Sequence, residues 1–231
     1  MTTIQNRIVK AVVLDMDGLM IDTEPLYMRA FQKAAKEFGY ELTDYFLMGF
    51  VGRPDNDCRN IIAEQFGTGF PLDTFWERWP QVWREEALTN GIDRKPGLPE
   101  LLSYLSEVGL PSAIATSAYR DQAEFSLNRA SVTTYPFTHI VTGDEVSRGK
   151  PAPDIFLEAA RRLGIKPRQC VALEDSENGI KAATSAGMIS IMVPDLIQPS
   201  EEIRKSAWRV VDSLHEVREL LSGLQIASGS R

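Results

Sequence analysis

Cysteine is nearly absent from this 231-residue chain: Cys58 and Cys170 are the two it has. They are far apart and lack metal-type spacing, which argues against a disulfide framework or a thiolate metal site. A reduced, cytoplasmic setting is the expectation. Basic residues are not in excess either. The 25 Lys and Arg face 32 Asp and Glu, a net charge of −7, whereas nucleic-acid surfaces are usually basic, so no nucleic-acid partner is expected. A local site can still be positive on a negative protein, which leaves small anions open as substrates. No apolar run approaches the length of a membrane span, and Met1 to Lys10 has no apolar core of signal-peptide length; no membrane association is expected. There is no internal repeat and no low-complexity tract, and monomer is the default state. The small, polar residues from Ser222 to Arg231 predict a frayed tail outside the chemistry.

What is present suits a globular protein of one or two domains, with 43% hydrophobic and 25% charged residues. Five short apolar runs predict strands: Ala11–Leu14, Ser112–Thr116, His139–Thr142, Cys170–Leu173 and Ile189–Val193. Helical segments fall among them, at Glu100–Val108, Asp121–Arg129, Asp154–Leu163, Gly179–Ala186 and Glu216–Leu221. Strand–helix alternation of this kind predicts an α/β fold, a doubly wound, Rossmann-like parallel sheet.

Residues 25 to 93 break the alternation. Leu26, Ala30, Ala34 and Phe38 recur every four residues and end at Gly39, which predicts a helix. Ile61, Ile62 and Phe66 suggest a second, and Phe75 to Leu88 more. So long a stretch is not a structureless loop in a compact domain. It is read as an all-helical domain over 24–94, inserted into a core of residues 1–23 and 95–231. Asp22-Thr23-Glu24-Pro25 and Lys95-Pro96-Gly97 would be its linkers.

Chemistry concentrates at predicted strand ends. The run Ala11–Leu14 stops at Asp15, with Asp17 and Gly18 close behind. Ligands of open α/β sheets bind beyond the carboxyl ends of strands. Paired carboxylates there repel and resist desolvation, and a hard divalent cation would resolve the conflict. Val171-Ala172-Leu173 likewise stops at Glu174-Asp175, before a helix. The helix dipole accounts for one such acid, but not for acid pairs on two strands. Thr116-Ser117 ends a third run, where a hydroxyl and the following N–H groups either hold an anion or cap the next helix. Lys150, between Gly149 and Pro151, is either an aimed ammonium or a solvated loop lysine.

Asp15-Met16-Asp17-Gly18, then Thr116, then Lys150-Pro151, then Glu174-Asp175 resembles, in order and placement, the four motifs of the haloacid dehalogenase superfamily. The flanking sequences, Leu19-Met20-Ile21-Asp22-Thr23-Glu24 and Ser176-Glu177-Asn178-Gly179-Ile180-Lys181-Ala182-Ala183, resemble the subgroup of beta-phosphoglucomutases and small phosphosugar phosphatases, and the insertion resembles that subgroup's cap. The resemblance implies Asp15 as the nucleophile that forms an aspartyl-phosphate and Asp17 as general acid and base. It implies Mg²⁺ held by the Asp15 carboxylate, the Asp17 carbonyl and Asp175, with Glu174 in direct or water-bridged support. Thr116, Ser117 and Lys150 would bind the phosphoryl group, and the substrate would be a small phosphorylated metabolite. Such chemistry works by positioning and electrostatics, since carboxylate attack on phosphate is opposed by charge.

Arg53, in Phe50-Val51-Gly52-Arg53-Pro54-Asp55, falls near a position where relatives place a substrate-contacting arginine; a solvated arginine at a helix start is the other reading. Trp76, Trp79 and Trp83 recur at helical spacing, with Pro80 expected to set a helix start near Trp79. Packing of the cap core explains these rings better than stacking on a ligand does. Mutases of the subgroup carry a histidine three residues after the Asp-Thr-x unit, where this chain has Tyr27. They also carry a polar pair after the second motif, where it has Ala118-Tyr119. Both departures favour a phosphatase over a mutase. The presence of Asp17 argues against a dehalogenase, and the presence of both Asp15 and Asp17 against a non-catalytic phosphosugar-binding module.

Overall fold

Four strands are buried along their whole length, which is why their sequences show apolar runs and no alternation. They are β1 (Ala11–Leu14), β2 (Ser112–Ala115), β4 (Cys170–Glu174) and β5 (Ile189–Met192). With β3 (His139–Val141) and β6 (Arg209–Val210) they form one parallel sheet in the order β3-β2-β1-β4-β5-β6. The computed structural model describes residues 8–224 apart from 52 and 54, and of Asp55 the backbone alone. The polar tail expected to fray lies, from residue 225 on, outside the described residues; Ser222 is the last residue of a helix.

The strand order reverses at β1, whose neighbours are β2 and β4. This is the switch point at which doubly wound sheets open a crevice beyond their strand ends. Register sets what faces that crevice. Leu14 lies opposite Ile114 on one side and Leu173 on the other, and the Asp15 N–H donates to the Leu173 carbonyl at 3.0 Å. Asp15 and Glu174 are therefore carried side by side. Three strands end one residue before the expected place, at Ala115, Val141 and Met192. The next N–H still reaches a neighbouring strand in two cases, from Thr116 to Val141 and from Val193 to Glu174. The two-residue β6 leaves no signal in the sequence, because a run that short has no period to read.

Residues 22–93 form one compact unit, and the chain through Ile21 together with Arg94 onward forms the other. The first unit is helical, with α1 (Glu24–Glu37), α2 (Asp44–Leu47), α3 (Asp55–Phe66) and α4 (Leu72–Asn90). α1 packs on α4. It buries Leu26, Ala30 and Ala34 of the expected stripe together with Phe31 and Ala35, whereas Phe38, the C-cap, is only half-buried. Phe31 stacks on Trp79 at 4.7 Å and Tyr27 on Trp83 at 5.5 Å, so these tryptophans are built into the packing of this unit. Pro80 does not start a helix as expected. It lies inside α4, exposed, where water can bond the carbonyl its missing N–H abandons. The aromatic packing on either side outweighs the break.

The sheet unit adds α5 (Leu98–Glu107), α6 (Arg120–Arg129), α7 (Asp154–Leu163), α8 (Glu177–Ser185), α9 (Glu201–Ser206) and α10 (Leu214–Ser222). Against one face of the sheet, Ile155, Phe156, Ala159 and Ala160 of α7 and Ala182 and Ala183 of α8 meet Ala11, Val13, Ala113, Ala115 and Ala172. The small strand residues let the helices approach closely. Val12, Leu14, Ile114, Val171 and Leu173, which point the other way, are equally buried, so both faces are covered.

Phe156 is among the largest fully buried side chains, and its ring centroid lies 5.3 Å from the Lys150 Nζ. Phe156→Ala should cost about 3–5 kcal/mol of stability, read from urea unfolding. A loss below about 1 kcal/mol would mean the core closes over the gap.

Candidate active site

The site begins with a lysine that has almost no contact with water. The Lys150 ammonium, with an 8% exposed side chain, is paired with both Asp15 and Glu174, and it donates to the Ala115 carbonyl at 3.2 Å. One cation thus joins the ends of β1, β2 and β4. The other Glu174 oxygen, Oε2, accepts from the Ser176 N–H at 2.9 Å and hydroxyl at 2.8 Å. Ser176 also caps α8, its Oγ accepting the Gly179 N–H at 3.0 Å. Both Glu174 oxygens are therefore bonded.

Asp15, Glu174 and Asp175 each bring a carboxylate oxygen within 4.8 Å of the others. Their charge exceeds what Lys150 balances, and the titration behaviour follows. Burial first, then Glu174 and Asp17, pushes the Asp15 carboxyl up to about 8, with Lys150 opposing. Asp175 is held well above the usual carboxylate range by burial and by the charges of Glu174 and Asp15. Lys150 is raised: burial opposes its charge, but Asp15 and Glu174 more than offset that. Hard oxygen donors converging at a strand end, short of positive charge, fit a divalent cation such as Mg²⁺.

Close backbone approach is built into this end of the sheet. Gly18 has φ +78°, and a Cβ there would lie 2.5 Å from Asp175 Oδ2. A Cβ on Gly179 would overlap the Glu174 carboxylate, and one on Gly143 would overlap the Ser117 carbonyl. The loop after β1 folds back on itself, the Gly18 N–H donating to Ile21 at 2.9 Å and the Ile21 N–H to Met16 at 3.1 Å. Asp17 lies in this loop, half-buried.

The structure thus brings Asp15, Lys150, Glu174 and Asp175 together. The Asp17 carboxylate is near enough to raise Asp15 but is not among the three clustered carboxylates. Thr116 is buried and follows Ala115, whose carbonyl Lys150 touches; its Oγ1 accepts the Ala118 N–H at 3.1 Å. Ser117 is exposed, with its carbonyl against Gly143. Arg53 belongs to the helical unit and is exposed, its N–H donating to Phe50 at 3.0 Å; Gly52 and Pro54 lie outside the described residues. Sequence reasoning missed Asp195. It pairs with Lys95 at 2.6 Å, its side chain is 10% exposed, and it borders the same point beside Gly18 as Asp175 does. The available signal was its place two residues beyond the apolar run at Ile189–Val193, the same strand-end rule that picked out Asp15.

An acidic, lysine-bridged centre at the switch point of a parallel sheet lies where α/β enzymes bind their ligands. The family model for haloacid dehalogenase-like hydrolases matches residues 12–193, and the chain belongs to that family. It is 33% identical to "Phosphorylated carbohydrates phosphatase" of Thermotoga maritima, over 78% of this chain and 82% of that one. It is 35% identical to "Probable pseudouridine-5'-phosphatase" of Drosophila melanogaster, over 95% and 97%. The solved structure of CbbY from Rhodobacter sphaeroides in complex with phosphate superposes with a TM-score of 0.74 at 26% identity, covering 91% of this chain and 96% of that one. Among the described residues, no helix is long and apolar enough to cross a membrane.

The raised carboxyls set a pH dependence. A carboxyl with a higher pKa folded than unfolded favours the fold while protonated, and that contribution is lost as pH rises from about 4 through about 8. A bound dication would replace the proton. The rise in melting temperature produced by Mg²⁺ over chelator should therefore be larger at pH 8 than at pH 6, and Asp15→Asn should flatten the difference. An equal rise at both pH values in the parent protein would count against a site formed by these carboxylates.

Proposed function

We propose that the protein is a magnesium-dependent phosphatase that hydrolyses a small phosphorylated metabolite, a sugar phosphate or similar, through an aspartyl-phosphate on Asp15. The observation that supports this most is the buried Lys150 bridging Asp15 and Glu174, with Asp175 alongside. The naming of the curated relatives as phosphatases of a phosphorylated carbohydrate and of pseudouridine-5'-phosphate points the same way. A cytoplasmic monomer is part of the reading.

The Asp15 carboxylate attacks phosphorus and the ester P–O bond breaks. Asp17, as the acid, gives its proton to the leaving alkoxide. As the carboxylate it then takes a proton from water, which attacks the acyl phosphate and releases phosphate and free Asp15. Lys150, with Thr116 and Ser117, holds the phosphoryl oxygens and offsets charge in the transition state. Asp15, the Asp17 carbonyl and Asp175 would hold Mg²⁺, with Glu174 in support. Bound there, Mg²⁺ would offset the charge of the phosphoryl oxygens and so allow an anionic nucleophile to approach.

A mutase is the second reading, carried by the family resemblance. Against it stands Tyr27, where the mutases' histidine would be. Its ring is packed on Trp83 and lies 5.9 Å from Trp79.

Asp15→Asn should abolish phosphoenzyme and release of phosphate from p-nitrophenyl phosphate. Asp17→Asn should bind substrate but turn over about 10²-fold or more slowly. Chelator should abolish turnover and Mg²⁺ restore it. Near-parental activity of Asp15→Asn, or full activity in excess chelator, would sink the mechanism. Conversion of a sugar 1-phosphate to its 6-phosphate faster than phosphate release would favour the mutase.

Arg53 is proposed as a substrate contact. Arg53→Ala should then slow turnover of the best substrate from a phosphometabolite panel but barely affect p-nitrophenyl phosphate. Equal losses on both would make Arg53 a folding residue, and no loss on either would leave it a solvated arginine.

A further inference from the structure

The sheet unit contains a further carboxylate, its side chain 10% exposed, that the proposed chemistry does not use. Asp195 follows β5, and its two oxygens have different surroundings. Oδ1 accepts from the Lys95 ammonium at 2.6 Å. Oδ2 is buried and has no hydrogen-bond partner among the described residues. An ion pair with Lys95 explains the first oxygen and leaves the second without a donor, which is costly for a buried charged acceptor.

Where Oδ2 points is informative. A Cβ built on Gly18 would lie 3.2 Å from Asp195 Oδ2 and 2.5 Å from Asp175 Oδ2. Two carboxylate oxygens from different strand ends thus border one point, and the residue there is a glycine with no side chain to fill it. In the ionised form that binds a cation, both oxygens accept and neither donates. What would satisfy the pair is a small, strongly polarised donor. A water bound to a divalent cation is such a donor, and Mg²⁺ keeps several of its waters when bound by carboxylates. Asp195 is outside the set of three carboxylates whose oxygens lie within 4.8 Å of one another, so it is not placed as a direct ligand.

We propose that Asp195 is a positioning residue for the cation: its Oδ2 accepts a hydrogen bond from a water of the cation held at Asp15 and Asp175, while Lys95 fixes the carboxylate through Oδ1. The inference rests on the metal site of the proposed function. Lys95 adds a mechanical link, since its N–H donates to Met20 at 3.0 Å. Asp195 is thereby tied to the loop that carries Asp17 and Gly18.

The two oxygens make the substitutions discriminating. In Asp195→Asn the Lys95 ammonium selects the amide oxygen, so the NH₂ occupies the Oδ2 position and meets the water as a second donor. Asparagine should therefore be no better than alanine, although it keeps the shape. Mg²⁺ titration by calorimetry on the full chain should show a Kd about tenfold or more weaker for both Asp195→Asn and Asp195→Ala, the scale typical of outer-shell partners of a metal. Lys95→Met frees the Asp195 carboxylate from its ion pair but keeps the acceptor, and should weaken Mg²⁺ binding less than either Asp195 variant does. The melting temperature in chelator shows that each variant is folded. If Asp195→Ala does not fold, the isosteric Asn variant carries the test. A parent-like Kd in Asp195→Asn overturns the inference alone. So does an equal weakening in Lys95→Met, which would make Asp195 a strut of the fold. A parent protein that binds no Mg²⁺ overturns both the inference and the metal-dependent function.

Discussion

The Lys150 ammonium is the interaction on which this protein depends. Three strands end at it, through the Asp15 carboxylate, the Ala115 carbonyl and the Glu174 carboxylate. Burying an ammonium or a carboxylate alone costs several kcal/mol, so each of these groups is tolerable only because the others are present. The balance is incomplete, since Asp175 and Asp17 add charge that one lysine does not offset. Burial, with that deficit added to it, raises the carboxyl pKa values, and the deficit makes the place receptive to a dication. Stability and chemistry share one cause here: acids packed at the strand ends more densely than the protein alone can neutralise.

Glycine makes such density possible. Gly18 clears room beside Asp175, Gly179 lets the start of α8 rest on Glu174, and Gly143 admits the Ser117 carbonyl. Around this end of the sheet, side chains hold the loops. Ser176 bridges Glu174 and the α8 N-terminus. Glu145 accepts from Thr142 at 3.0 Å and from Arg120 at 2.6 Å, setting the turn after β3.

The helical unit is held by a different logic. Its interior is aromatic, with Phe31 meeting Phe50, Phe75, Trp76 and Trp79, and it buries the charged Glu86, with Lys33 and Arg29 against it. Large rings fill a small helical core, and their packing carries α4 through Pro80. The sheet unit uses alanine and valine where its helices lie close on the strands. The two compositions follow from the two geometries.

The parallel α/β class, the helical insertion and the strand ends at which chemistry lies are all legible in the amino-acid order. Short apolar runs, stripes recurring every four residues and acids after strands are local signals, and β1 and α7 are readable to the residue. Sequence-level errors were local as well. Pro80 was read from its own propensity, and β6 and α9 are too short to have a period. Only the tertiary structure decided which acids meet. Lys150 is 135 residues from Asp15 and 24 from Glu174; parallel register sets the two acids side by side, and the segment between β3 and α7 brings the ammonium to both. The same holds for Asp195, 100 residues from Lys95. Its importance lies in a buried oxygen and a glycine's empty side, and no spacing in the chain encodes those. Periodicity is written residue by residue, whereas burial and charge balance are properties of what the folded chain places around each group.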